Sequence, residues 1–191
     1  PFQFLTAKMY SSPERTPVDY VNPYIGNISH LLVPTYPTVH LPNSMLRVYP
    51  KREDFTGNRL NGLPVVVSRH RGYSPFSIHP FQGGDAPEYI DYEYDNEKVT
   101  PYLYQVCLQN IGADVRFAPS HQSAIYEIQF VGDGTPQLVV KSNNGSLTVD
   151  GNAVSGYEQL GEYATKAYIY LEVDQPVVSQ EVNTQGQSAS A

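Results

Sequence analysis

The sequence has no tryptophan, two methionines and a single cysteine, Cys107. One cysteine excludes an intrachain disulfide and a cysteine-based metal cluster, and it leaves the redox compartment of the protein open. Cys107 lies inside an apolar strand pattern and has no base beside it in sequence. We therefore predict a buried structural thiol rather than a reactive one.

The sequence also lacks an excess of positive charge and any long apolar run. Its 12 Lys and Arg side chains are outnumbered by 19 Asp and Glu side chains, which gives a formal net charge of −7. Without a cationic field, neither nucleic acid nor an anionic membrane surface is a predicted partner. No apolar run approaches the ~20 residues that cross a bilayer, so no membrane span is predicted. Pro1 is neither an initiator Met nor part of a signal peptide, and we interpret it as a processing or cloning boundary.

Residues typical of strands and tight turns are abundant, with 16 Tyr, 7 Phe, 14 Gly and 16 Pro. Tyrosine suits a pleated, half-buried surface, while Gly and Pro set the dihedral angles of turns. A chain of this length fits one large domain, in which we expect few helices. We predict an extended N-terminal arm over residues 1–17, a β-sandwich domain over 18–182, and a polar tail or start of a linker over 183–191.

Short strand patterns recur at intervals of roughly ten residues, with turn residues between them, which favours an all-β antiparallel β-sandwich over alternating strands and helices. In residues 124–130 the side chains of Ala124, Tyr126, Ile128 and Phe130 fall on one face, so this strand should be half buried. The predicted strands cover residues 46–49, 64–68, 102–108, 114–118, 124–130, 138–141, 146–149, 153–154 and 167–173.

Two turns between these strands carry hairpin signals. Residues 109–113 should connect the strands before and after them as an antiparallel hairpin. The step from Asp150 to Gly151, followed by Asn152, indicates a second hairpin with a type I′ turn, in which both central residues need positive φ.

An acidic, tyrosine-rich run precedes the third of the long strands. Calcium binding and a solvated strand edge are both compatible with such a run. An EF-hand is excluded because Asn96 stands where the loop needs Gly and Tyr102 where it needs Glu. We favour the strand edge, where charges oppose pairing with other chains. The acidic residues of the run are Asp85, Glu88, Asp91, Glu93, Asp95 and Glu97.

Three stretches resemble the N-terminal domain of glycoside hydrolase family 92. Residues 20–26, V-N-P-Y-I-G after the first Tyr, are similar to the family's V-N-P-F-I-G-T, and residues 37–50 are similar to its P-G-A-x-x-P-F-G-M segment. Residues 95–104 resemble the family's H-E-N-E-x-A-x-P-G-Y-Y, and residues 168–176 its Y-F-V-A-E-F-D-K-P. The matching positions are Val21, Asn22, Pro23, Ile25, Gly26, Pro37, Pro42, Met45, Pro50, Asn96, Glu97, Pro101 and Tyr104.

The resemblance implies a supersandwich-like β-sandwich from a two-domain, secreted, periplasmic or cell-surface exo-α-mannosidase. In that family the general acid, the general base and a calcium ion belong to a C-terminal (α/α) toroid, which this chain lacks. The chain itself should therefore hold no cofactor and no catalytic residue, and its implied partners are the toroid and a mannose-containing glycan. Inverting hydrolysis there needs two carboxyl groups with room for a water between them.

Four residues are candidates for substrate binding through this resemblance: His30, Arg71, Tyr73 and His79. His30 stands in the loop where the family has G-T-G-G-H-G-H, and it is either a sugar ligand or an ordinary surface or capping residue. Residues 69–84 resemble the family's G-F-S-H-T-H-L-S-G-T-G and form either a carbohydrate rim or a long packed surface loop. The absence of tryptophan weakens a sugar-stacking platform.

No motif supports an independent hydrolase, since neither G-x-S-x-G nor H-E-x-x-H occurs. The leading hypothesis is a non-catalytic module that supports the toroid and shapes its entrance. A free-standing carbohydrate-binding or cell-surface interaction module is the alternative, and a structural sandwich without a ligand is a third. Fold analogy cannot choose among them.

Overall fold

The computed structural model describes residues 14–28, 31, 35–50, 52, 57–64, 74–84, 91–161 and 165–178. Across these residues the secondary structure is thirteen antiparallel strands and two short 3₁₀ helices, Pro17–Tyr20 and Gln109–Ile111. The predicted all-β antiparallel fold with few helices is confirmed. No helix in this part of the chain is long and apolar enough to cross a membrane. Most of the predicted arm and tail lies outside the described residues.

The largest sheet has five strands in the order β3-β6-β7-β8-β9. Tyr104 pairs with Phe117 and Leu108 with Ala113, so β7 and β8 form the predicted hairpin around the second 3₁₀ helix. Gly112 ends that helix in the left-handed region, at φ 55°. The strands are β3 (Arg59–Leu60), β6 (Tyr92–Val99), β7 (Tyr104–Leu108), β8 (Ala113–Pro119) and β9 (Ala124–Phe130).

Three smaller sheets complete the fold, in the orders β10-β5-β4, β11-β12-β13 and β1-β2. β10 and β5 pair along seven residues, and β12 pairs with both of its neighbours over its length. Their strands are β1 (Val39–His40), β2 (Arg47–Val48), β4 (Leu63–Pro64), β5 (Phe76–Gln82), β10 (Pro136–Ser142), β11 (Gly145–Asp150), β12 (Ala153–Gln159) and β13 (Lys166–Glu172).

The core lies against one face of the five-stranded sheet. Val106 in β7 and Val115 in β8 are fully buried, whereas Asp114 and Arg116, which alternate with them, are exposed. The same alternation occurs in β9, where the predicted inward residues Tyr126, Ile128 and Phe130 pack against the core. Ala124, which was predicted on that face, is exposed at the end of the strand. The buried cluster comprises Val39, Val48, Leu60, Leu63, Ile78, Phe81, Tyr92, Val99, Tyr104, Val106, Leu108, Ala113, Val115 and Phe117.

Two polar side chains connect the sheets. Gln82, the last residue of β5, donates through Nε2 to the carbonyl oxygens of Ile111 at 2.5 Å and Gly112 at 3.2 Å. Glu158 in β12 is completely buried, and its Oε2 accepts hydrogen bonds from Ser142 Oγ at 3.0 Å and from the Asn143 N–H at 2.9 Å. These contacts fix the turn between β7 and β8 against β5, and the turn between β10 and β11 against β12.

Several sequence predictions need correction. Residues 76–82 of the predicted loop are strand β5, and its Ile78, His79, Pro80 and Phe81 are all buried, so the usual alternation is absent. Cys107 is half buried on the outer face of β7, not inside the core, because the inward positions are Val106 and Leu108.

The two remaining corrections concern a turn and a strand. The hairpin between β11 and β12 is confirmed, but of its two central residues only Gly151 has positive φ, the pattern of a type II′ turn rather than type I′. Strand β6 carries solvated acidic side chains as expected. It is not an edge strand, because it lies between β3 and β7.

Candidate functional site

Of the four candidate sugar-binding residues, only His79 lies in the described part of the chain. It belongs to β5 and is 5% exposed, with its Nε2 2.8 Å from Ser77 Oγ. Gly62 packs directly on the imidazole, since a Cβ built there would stand 2.5 Å from His79 Cε1. His79 is thus a packed strand residue next to a serine hydroxyl. His30, Arg71 and Tyr73 fall outside the described residues.

The most developed polar cluster surrounds Glu97, a residue of the second resemblance motif. Arg52 Nη2 forms an ion pair with Glu97 Oε1, and the two side chains are 4% and 10% exposed. Tyr104 donates to the same carboxylate oxygen at 3.2 Å, and Tyr24 donates to Oε2 at 3.4 Å. The Arg52 guanidinium also lies 5.2 Å from the centroid of the Tyr94 ring and donates to its hydroxyl at 3.0 Å. We call these five residues the Glu97 cluster.

A β-bulge explains why an acidic residue of an otherwise solvated strand points inward. The register between β6 and β7 shifts between Asp95 and Lys98, and Asn96 adopts φ 53°. Asn tolerates this left-handed conformation better than most residues. Asp95 and Asn96 are both exposed, and the next side chain, Glu97, turns into the layer that holds Arg52.

The Glu97 cluster brings together two motifs that are far apart in sequence. Tyr24 comes from the N-P-Y-I-G turn, in which Asn22 Oδ1 accepts the Tyr24 N–H at 3.0 Å and Gly26 has φ 82°. Tyr24 and Glu97 are 73 residues apart. The resemblance motifs therefore meet at a structural contact, and sequence reasoning missed its third member, Arg52, which lies in neither motif.

The electrostatics of the cluster favour a fixed charge pair. Burial and the neighbouring Glu97 charge raise the pKa of the Tyr104 hydroxyl, and the same two causes raise the pKa of Tyr24. Burial alone would lower the pKa of Arg52, but the adjacent Glu97 carboxylate raises it. The phenols therefore stay protonated and donate, while Arg52 stays charged. Such an arrangement stabilises a structure and provides no group that exchanges protons near neutral pH.

The apolar side chains around the N-P-Y-I-G turn point into solvent. Tyr20 is 70% exposed, Ile25 75%, Ile28 64% and Leu31 95%. Met45, in the second half of the first resemblance region, is 70% exposed, and its backbone N–H donates to the His121 carbonyl at 2.8 Å. Exposed apolar residues that follow one another this closely mark a surface for association.

A shallow depression of about 390 Å³ lies on the outer face of the five-stranded sheet. Polar residues from β7, β8 and β9 line it, among them Gln105, Asp114, Arg116, Glu127 and Gln129. Arg116 Nη1 and Glu127 Oε2 are 3.6 Å apart and both side chains are about half exposed. No aromatic ring lines this depression.

The described residues offer no metal centre, because no group of three or more His, Cys, Asp or Glu side chains is placed to hold an ion. The acidic side chains of β6 alternate with inward tyrosines instead of converging. Calcium, which the resemblance implies for the parent enzyme, therefore has no fitting set of ligands in this part of the chain.

Comparisons with known proteins give a consistent result. Residues 20–191 match the family described as glycosyl hydrolase family 92 N-terminal domain. Among solved structures, the chain is similar to a family GH92 α-mannosidase from Bacteroides thetaiotaomicron, with a TM-score of 0.63, 16% identity and 80% of this chain covered. The complex of that enzyme with mannoimidazole matches equally well. A search of curated proteins found no match. The chain covers only 25% and 24% of the lengths of the two matched structures.

Proposed function

The chain belongs to the N-terminal domain family of glycosyl hydrolase family 92, and from this premise we propose that it is the non-catalytic β-sandwich module of an exo-α-mannosidase. In this proposal the module packs against a catalytic (α/α) toroid and shapes the entrance to its sugar pocket. The structurally similar enzyme is an α-mannosidase whose structure was also solved with mannoimidazole bound. General acid, general base and calcium belong to the toroid, and the parent enzyme is exported from the cytoplasm.

One observation carries this proposal: the N-P-Y-I-G turn presents exposed apolar side chains from a base that is fixed to the sheet. Tyr24 points inward to Glu97, while Ile25, the next residue, is 75% exposed. A preorganised turn that exposes Ile25 and Ile28 is suited to packing against a second domain, because little ordering is needed when the apolar surface is buried.

The proposed sugar contacts are His30, Arg71 and Tyr73. His79 is proposed to act at one remove, by fixing the hydroxyl of Ser77, to which it is hydrogen bonded at 2.8 Å. The described residues supply no open pair of carboxyl groups of the kind that glycoside hydrolysis requires. Glu97, the acidic residue closest to the motif turn, is neutralised by Arg52 and shielded by two tyrosines.

Association with a catalytic domain tests the packing part of the proposal. The purified chain is mixed with the separately expressed toroid of a family 92 α-mannosidase, and complex formation is followed by light scattering and calorimetry. Ile25→Asp is expected to weaken association by about tenfold or more, because a charge is buried without a partner. Ile125→Asp is the matched control, since Ile125 is 68% exposed on another strand. Equal association of both variants would refute the assignment of this surface.

Turnover assays test the non-catalytic part. The purified chain is incubated with aryl and disaccharide α-mannosides in the presence of calcium, and no hydrolysis is expected. Hydrolysis by the isolated chain would overturn the proposal. Since calcium is assigned to the toroid, EDTA should leave the thermal unfolding temperature of the chain unchanged, and a lowered temperature would show that this chain holds a metal ion.

A further inference from the structure

Two tyrosines stand side by side on the outer face of the sheet formed by β11, β12 and β13. Tyr168 and Tyr170 are 75% and 70% exposed, and they lie two residues apart in β13, so both point to the same face. The intervening residue, Ile169, is 8% exposed on the opposite face. The alternation thus separates a buried aliphatic side from an open aromatic side.

The register of the sheet shows what surrounds the two rings. Tyr168 lies opposite Tyr157 of β12, and Tyr170 lies opposite Ser155, which in turn pairs with Thr148 of β11. Ser155 and Thr148 are exposed hydroxyl side chains on the same outer face. We call this set of Thr148, Ser155, Tyr157, Tyr168 and Tyr170 the tyrosine face.

One of the rings is held in place by its neighbours. The centroids of Tyr157 and Tyr168 are 6.4 Å apart with the ring planes tilted by 52°. Lys166 Nζ lies 3.8 Å from the Tyr157 centroid, so the ring that supports Tyr168 is itself held by a cation–π contact. An aromatic side chain that is already oriented loses little entropy when a ligand stacks on it.

The chemistry of the tyrosine face selects an uncharged, hydroxyl-rich ligand. Lys166 and Glu172, at the two ends of β13, carry opposite charges, and between them the face offers ring surfaces and hydroxyls. A net charge of −7 opposes nucleic acid, the other ligand that stacks on open rings. Sugar C–H groups pack on aromatic faces while neighbouring hydroxyls bond to Tyr, Ser and Thr.

We propose that the tyrosine face binds an extended, uncharged glycan chain. It is an open sheet surface rather than a pocket, so it suits the side of a polysaccharide rather than a chain end. This site is separate from the N-P-Y-I-G turn and does not require a catalytic domain, so it goes beyond the function proposed above. It would give the protein a second hold on a glycan substrate.

Affinity electrophoresis of the 191-residue chain tests this proposal, with soluble α-mannan and a mixed-linkage β-glucan as probes and calorimetry for the affinities. The wild-type chain should be retarded by at least one of them. Loss of one stacking ring, in Tyr168→Ala or Tyr170→Ala, should weaken binding by about threefold to tenfold. The Phe variants keep the ring and should retain most of the affinity. Ile125→Ala is the control, because Ile125 is equally exposed on a different sheet and is not aromatic.

Three results would overturn the proposal: no retardation of the wild type by either probe, unchanged retardation of the Tyr168→Ala/Tyr170→Ala double variant, or equal weakening by Ile125→Ala. Sedimentation of the chain without glycan provides a further check. A dimer that the double variant dissociates would assign the tyrosine face to self-association instead. Failure here leaves the toroid association of Ile25 unaffected, so the two proposals can be judged separately.

Discussion

Replacing Arg52 by alanine tests whether the Glu97 cluster is a true buried ion pair. Both side chains are nearly excluded from water, at 4% and 10% exposure. Without the guanidinium, the Glu97 carboxylate stays buried with hydrogen bonds from Tyr24 and Tyr104. Breaking one side of such a pair lowers the free energy of unfolding by about 3–5 kcal/mol. Because the two phenols still donate to the carboxylate, we expect the lower end of that range, about 3 kcal/mol.

Urea unfolding followed by circular dichroism measures this loss. The midpoint of the Arg52→Ala variant should fall while the slope m stays unchanged, which identifies a change in stability rather than in the compactness of either state. Arg116→Ala is the matched control, because the Arg116–Glu127 pair spans 3.6 Å with exposures of 58% and 49%. An exposed pair of this kind contributes about 0–1 kcal/mol.

A double-mutant cycle with Glu97→Gln separates the pairwise interaction from the loss of packing. Contacting residues in one network show coupling free energies of about 0.5–3 kcal/mol, and we expect Arg52 and Glu97 to exceed about 1 kcal/mol. If Arg52→Ala lowers the free energy of unfolding no more than Arg116→Ala does, or if the coupling is near zero, the two groups are solvated in solution and the reasoning fails.

Three further predictions concern the backbone and the tyrosines. Gly62→Ala should lower the free energy of unfolding by about 2–4 kcal/mol, because φ is +133° and the new Cβ meets the ring of His79, whereas Gly83→Ala, with φ +68° and open space, should lose about 1 kcal/mol in the same urea assay. Asn96→Gly should be neutral and Asn96→Val should lose about 1–2 kcal/mol, since only the latter is strained at φ 53°; equal losses would refute the bulge geometry. Burial and the Glu97 charge hold the pKa of Tyr104 above its ordinary value of 10.0, so the folded state keeps a proton that the unfolded state releases. Stability should therefore fall as the pH rises above 10, and it should fall less steeply in Tyr104→Phe; a pH series of urea midpoints checks this, and equal slopes would contradict it.

Strands with one wet face were predictable, because alternation is written into consecutive residues. β9, β13 and the hairpin of β7 with β8 all have that pattern and lie where it placed them. β5 was missed because four successive residues are buried, so neither face shows a polar period, and its Pro80 resembles a strand breaker. The two-residue strands β1 to β4 are too short to have any period.

The Glu97 cluster was only partly predictable. Tyr24, Glu97 and Tyr104 lie in or beside motifs that the resemblance singled out, yet nothing in the sequence shows that the motifs touch. Arg52 is one of several charged residues in its stretch, and its partner is 45 residues away. Likewise, alternation placed Tyr168 and Tyr170 on one face of a strand, but the packing of Ile169 on the core decides that this face is open.

The fastening of the N-P-Y-I-G turn has a consequence for dynamics. Residues 14–28 are connected to the rest of the domain by the Tyr24 hydroxyl on Glu97 and by the Tyr102 hydroxyl on Asp19, at 3.4 Å and 3.2 Å. Such a segment can open locally while the five-stranded sheet stays folded, so its amides should exchange with deuterium earlier than those of β7 and β8. A bound domain that buries Ile25 would close this opening, and protection of the turn would then report docking from within the chain itself.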